Sequence, residues 1–241
     1  MTEEQKNETE QYLADTIIER PYGFFVGKRY FRLYPVTLGK VYVLQRYVEQ
    51  LSVNIKMLGK EVSIEALRLA KEKRKDCLSV IYIHTCKTKD EVFDVERQNE
   101  TIKLIDKELS TEDVASLMII VLSFDRTDVF MKHLGIEREQ QRMRTVMDVK
   151  NKNDKNNISF GGVSIYGSFI QPLMELGFSW NEILWERSYV NLRLLLLDKM
   201  NSVYMSDDER KKIPAWVFGN GHYIKADDPK NKEKIKAMSW K

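Results

Sequence analysis

The 241-residue chain is poor in the residues that staple or turn a fold: it has two cysteines, five prolines and 11 glycines. Two thiols at this length exclude a disulfide scaffold and fit a reducing compartment. So few turn formers exclude a many-stranded β fold and favour long helices. An excess of one charge is also missing. Lys and Arg number 39 against 36 Asp and Glu, a net charge of +3, which argues against a dedicated nucleic-acid binder with its strongly basic domain. Long apolar runs are absent too. Leu117 to Leu122 and Leu192 to Leu197 are the most apolar stretches, far short of the ~20 residues a membrane span needs. Residues 1–20 are acidic and lack the apolar centre of a secretory signal, so a cytoplasmic protein with no membrane partner is expected. What is present, 43% hydrophobic residues, is enough for a sizeable core.

The pattern along the chain predicts a mainly α protein with one small β-hairpin. Residues 3–19 read as a polar, loosely packed helix ending at Arg20-Pro21. Phe24 to Leu33 places aromatic and branched residues around Gly27-Lys28, a hairpin signal. Thr37 is expected to cap a helix whose apolar positions are Val41, Leu44, Val48, Leu51, Ile55 and Leu58, closed by Gly59. A second helix is expected from Ser63 to His84. Thr88-x-x-Glu91, Ser110-x-x-Asp113, Ser179-x-x-Glu182 and Ser206-x-x-Glu209 are capping-box starts, and Asp125-x-x-Asp128 opens a short helix ending at Gly135. Residues 150–157 hold no apolar side chain and read as a flexible linker after a polar helix near 136–149. The expected organisation is a polar segment 1–21, a helical domain with the hairpin 22–149, the linker 150–157, a helical module 158–205 and a polar basic tail 206–241.

Catalytic chemistry finds little support. Cys77, His84 and Cys86 have C-x6-H-x-C spacing, but on a helix Cys86 points away from the other two and no fourth ligand is local. Buried thiols and a packed histidine are expected, with no metal and no cofactor. None of His84, His133 and His222 sits in a nucleophile motif. Gly161-Gly162 and Gly219-Asn220-Gly221 lack phosphate-loop spacing. Asp207-Asp208 and Asp227-Asp228 read as solvated surface. The basic stretch Arg138 to Lys155 is interleaved with acids and lacks aromatics, so nucleic acid is not the expected partner.

Residues 164–198 stand out. Ser164 to Leu173 leads into Trp180-Asn181-Glu182-Ile183-Leu184-Trp185, then Ser188-Tyr189-Val190-Asn191-Leu192-Arg193. Two Trp residues followed by a Leu run supply more apolar surface than a short helical hairpin buries against itself. Two uses are open: packing onto the first domain, or an exposed face for a partner.

Two blocks carry a resemblance. Val26 to Gly39 (V-G-K-R-Y-F-R-L-Y-P-V-T-L-G) is similar to the opening strand-and-helix entry of the tail assembly chaperones of long-tailed bacteriophages, encoded just before the tape measure protein. Tyr166-Gly167-Ser168, Pro172, Gly177-Phe178-Ser179-Trp180, Leu184-Trp185, Asn191-Leu192-Arg193 and Asp198 resemble the downstream segment in versions from phages and prophages of Bacteroides-type bacteria. The resemblance implies a non-enzymatic chaperone of the host cytoplasm, absent from the finished virion. Helices of the first domain would coat the tape measure protein, and the C-terminal segment would recruit tail tube protein, with self-association a further option. In many members frameshifting adds that second segment. Tyr166, Trp180, Trp185, Asn191 and Arg193 are the candidate partner-binding residues, for contact or for packing of the module. The alternative function is a helical regulatory or nucleic-acid-associated adaptor.

Overall fold

A computed structural model describes the backbone of residues 3–58, 60–153, 164–198 and 205–218. It is mainly helical, with one N-terminal two-stranded antiparallel hairpin, as the sequence pattern predicts. The chain divides into two compact units. One comprises residues 1–136 with 160–199, and the other 137–159 with 200–241.

The first unit begins with α1 (Glu3–Ile17), followed by β1 (Tyr22–Val26) and β2 (Arg29–Leu33). Val26 pairs with Arg29 around the two-residue loop Gly27-Lys28. Gly27 has φ +56° there, a value glycine adopts without a Cβ clash. Phe24 and Phe31 face each other across the strands and pack on the core with Val26 and Leu33. Phe25 and Tyr30 form the exposed outer pair. Helix α2 (Leu38–Leu51) follows, then a short α3 (Ile55–Leu58). The helix expected to run to Gly59 stops at Leu51, because Ser52 turns left-handed at φ 49°; Gly59 lies outside the described residues.

The helix expected over 63–84 is two: α4 (Val62–Glu72) and α5 (Arg74–Thr85). Lys73 leaves helical geometry at φ −129°, ψ 33°. The break separates two kinds of helix. α4 buries one stripe, Glu65, Ala66, Leu69 and Ala70. α5 is buried all round from Cys77 to His84, as a central core helix must be. α7 (Val95–Glu108) and α8 (Thr111–Leu122) pack against it, α6 (Lys89–Phe93) is tied to it by the Tyr82 hydroxyl, which donates to the Glu91 carbonyl at 2.6 Å, and α9 (Thr127–His133) packs against α1. The reciprocal capping boxes at Thr88–Glu91 and Ser110–Asp113 open α6 and α8. Asp125 accepts hydrogen bonds from the Thr127 backbone at 3.0 Å and its hydroxyl at 2.6 Å, fixing the start of α9.

Residues 164–198 belong to this same unit, not to a module of their own as the composition suggests. They form a π-helical turn (Tyr166–Ile170), α11 (Gln171–Glu175), a second π-helical turn (Glu182–Glu186) and α12 (Tyr189–Leu197). Phe169, Ile170, Leu173, Ile183 and Leu192 close around Leu38 of α2. Leu194 joins Phe130 and Ile136, with Leu13 of α1 packed alongside. The N-terminal helix is mostly exposed, as its polar sequence predicts, and meets this cluster through Leu13.

In the second unit, α10 (Ile136–Asn153) supplies residues 137–153. The helix takes in Lys150 to Asn153, four residues of the expected linker, since extending a formed helix is cheap even for polar residues. Residues 154–157 lie outside the described residues. Val146 meets Ile213 and Val217, which follow α13 (Asp207–Lys211) and lie in and beside a 3₁₀ turn (Ala215–Phe218). The Arg142 guanidinium donates to the Val217 carbonyl and pairs with Glu139 at 2.6 Å. Residues 207–218 are thus a packed element where a polar tail is expected. The remainder of that tail, with His222 and Asp227-Asp228, falls outside the described residues.

Candidate partner-binding surface and the adjoining cleft

The two blocks of sequence singled out above meet in space. From β2 the chain passes through Tyr34-Pro35-Val36-Thr37 into α2. The Tyr34 N–H donates to the His84 carbonyl at 2.7 Å, and the Val36 carbonyl accepts from the Tyr189 N–H at 2.7 Å. Thr37 forms an antiparallel bridge with Ser188. At Gly39 the approach is closest. A Cβ placed there would lie 2.8 Å from the Leu184 carbonyl oxygen and 2.9 Å from the Trp185 ring. Only glycine lets the 182–186 turn sit this close to α2.

Three of the five candidate residues serve that junction or its neighbours. Trp185 is half-buried over Gly39, with its ring edge-on to Phe93 at a centroid distance of 5.8 Å. Asn191 donates from Nδ2 to the Thr16 carbonyl at 2.9 Å, with the Ile17 carbonyl at 3.4 Å and Glu19 Oε1 at 3.3 Å. It therefore adds a side-chain donor at the end of α1, to the Thr16 carbonyl, which also accepts from the Glu19 N–H at 3.1 Å, and to the Ile17 carbonyl. Glu19 Oε1 also accepts from the Ser188 N–H at 2.8 Å. Arg193 pairs with Asp125 at 3.5 Å.

Tyr166 and Trp180 are different. They are 62% and 46% exposed and stack on each other at 6.1 Å with an 18° interplanar angle. Met174 and Leu176, between them in sequence, are exposed as well. The stretch is held by Gly177 at φ +95° and by a reciprocal cap. Glu182 accepts from the Ser179 N–H at 2.9 Å and hydroxyl at 2.7 Å, and Ser179 Oγ accepts from the Glu182 N–H at 3.2 Å. Those hydrogen bonds hold the Glu182 carboxyl below its ordinary range. A rigid turn thus presents two rings and two flexible apolar side chains to solvent.

Beside the junction lies a cleft of about 820 Å³, lined in part by Tyr34, Thr37, Lys40, Trp185, Arg32 and Arg187. Lys40 is 2% exposed. Its ammonium donates to the Cys86 carbonyl and lies 5.8 Å from the centre of the Tyr34 ring. Burial lowers its pKa to about 8. Thr37 occupies the N-cap position of α2, yet its hydroxyl makes no capping bond and has no partner. His84, behind Lys40, stacks on Phe124 at 5.5 Å. Burial first, and the Lys40 charge second, lower its pKa to about 3. Cys77 and Cys86 are buried free thiols, with burial as the main cause of their raised pKa values. Among the described residues no group of three or more His, Cys, Asp or Glu is placed to hold a metal.

Sequence reading missed this cleft. One signal was available: Lys40 stands four residues before Leu44 on the stripe that α2 buries, where an apolar residue is the usual choice. Comparison with protein families, with curated proteins and with solved structures finds no match for the chain.

Proposed function

We propose that the chain is a non-enzymatic tail assembly chaperone of long-tailed phages and prophages. In this reading it coats the tape measure protein and recruits tail tube subunits in the host cytoplasm, then leaves before the virion is complete. One observation carries the proposal. The two blocks that resemble this family are packed on each other through Thr37–Ser188 and Gly39–Trp185, and the stacked Tyr166 and Trp180 pair is left exposed at the same segment. Exposed aromatic anchors with a methionine beside them are the usual chemistry of a protein-binding hot spot. Val48, Ile64 and Val95 add exposed apolar side chains on α2, α4 and α7, a chemistry suited to amphipathic helices. Trp185 and Asn191 act in this reading as packing residues that hold the segment in place.

Co-expression with the coiled-coil product of the adjacent downstream gene tests the proposal. A soluble complex of the two chains is expected. An insoluble downstream product with this chain left alone in the soluble fraction rejects it, and nucleic-acid binding that falls steeply with salt favours the adaptor reading instead.

A further inference from the structure

The buried Lys40 ammonium is held by a carbonyl and, among the described residues, by no ion pair. The Lys40 side chain uses one of its three donors on the Cys86 carbonyl. The Glu91 carboxylate acts on it only from beyond ion-pair distance. One helical turn earlier, Thr37 is 5% exposed and its hydroxyl has no partner. Both residues line the same cleft. Buried donors left unpaired are costly, and a buried unpaired charge more so. The start of α2, 14 residues long and with no acidic residue in its first turn, adds positive potential from its free N–H groups. The rim agrees in sign: Arg32, Lys87, Lys89 and Arg187 face Glu19, Asp90 and Glu186. Of those carboxylates, Glu19 already accepts from Ser188 and Asn191, and Glu186 from Asn181 at 2.5 Å.

We propose that the cleft binds a phosphorylated small molecule, its phosphoryl oxygens accepting hydrogen bonds from the Lys40 ammonium and the Thr37 hydroxyl. Two donors of different kinds, one charged and one neutral, suit a group with several acceptor oxygens. The cleft, at about 820 Å³, exceeds what a lone phosphate fills and falls in the range of small-molecule sites. Tyr34 and Trp185 line it as well and supply apolar surface for the rest of such a ligand. The inference does not depend on the chaperone reading, because it rests on a different set of side chains from Tyr166 and Trp180.

The test titrates the full chain with inorganic phosphate at constant ionic strength, read by backbone amide shifts in NMR and by the thermal midpoint. Saturable shifts at Leu38 to Lys40 and a raised midpoint are expected. Lys40→Met weakens the apparent Kd at least about tenfold, and Thr37→Val several-fold, as the loss of one charged and one neutral hydrogen bond implies. If Lys40→Met fails to fold, Thr37→Val, which keeps the side-chain shape, decides alone. An absence of saturable shifts overturns the proposal, as does equal phosphate binding by wild type and Thr37→Val. Succinate is the carboxylate control. If it binds the same residues more tightly than phosphate, the phosphoryl assignment is overturned.

Discussion

Replacing Gly39 by alanine sets two physical rules against each other. Helix propensity favours alanine over glycine by about 1 kcal/mol in a helix interior, and Gly39 is in the first turn of α2. Packing opposes it. The added methyl would sit 2.8 Å from the Leu184 carbonyl oxygen and 2.9 Å from two atoms of the Trp185 ring. The nearest of these is backbone, so the clash is not relieved by a side-chain rotation. Either the 182–186 turn lifts from α2 or the helix shifts, and overpacking of this kind costs about 1–3 kcal/mol. The net expectation is a loss of about 1 kcal/mol, and of up to about 2 if the backbone must move furthest. With a urea m-value of about 2–3 kcal/mol per molar, the midpoint falls by about half a molar. Urea unfolding of Gly39→Ala followed by tryptophan fluorescence measures this directly. Adding Trp185→Leu recovers part of the loss, because it removes one of the two obstacles. A Gly39→Ala protein as stable as wild type, or more so, refutes the claimed approach of the two segments.

Three further outcomes follow from the same geometry. Trp185→Ala, which empties the space over Gly39, lowers stability by about 2–3 kcal/mol, whereas Trp180→Ala stays within about 1 kcal/mol because its ring is exposed; thermal melts separate the two. Asn191→Ala removes the side-chain donor at the end of α1, leaving the Thr16 carbonyl only the Glu19 N–H, and costs about 1 kcal/mol, with hydrogen exchange rising in residues 13–17 first. His84 gives stability a pH dependence. Folded, its pKa is about 3; unfolded, it is about 6.5. Between those values the unfolded chain binds the extra proton, so stability falls as pH falls. Between pH 6.5 and 5, above the range where the carboxylates titrate, the loss is about 1.5 kcal/mol. It flattens in His84→Phe; an unchanged slope in that variant contradicts the assignment.

Several elements could be read from residues alone because their causes are local. The hairpin needs only its aromatic alternation and Gly27, and the boxes at Thr88, Ser110, Ser179 and Ser206 need only residues three apart. The junction could not be read that way. Whether Trp185 is core or surface depends on Gly39, distant in sequence, and the Trp-rich segment divides between packed and exposed residues. Trp185 and Asn191 pack; Tyr166 and Trp180 do not. The break at Lys73 was equally hidden, since the charged run Lys71 to Lys75 carries no glycine or proline and ends a helix only because α4 and α5 bury different surfaces. The extension of α10 through Asn153 shows the limit of composition: a stretch without apolar residues still continues a helix already formed. Ile213 and Val217, which pack on Val146, lie on either side of Pro214 and on no common helix, so no period in the sequence marks them.

Tyr166 and Trp180 are proposed as a partner-binding face on a segment that other residues hold in place. The most direct test is the affinity of the tail tube protein for the full chain, measured by calorimetry for wild type and for the Tyr166→Ala/Trp180→Ala double variant. The double variant is expected to keep its thermal midpoint within a few degrees and to lose binding at least about a hundredfold, as removal of two hot-spot rings implies. Equal affinity of the two proteins, with folding intact in both, contradicts it.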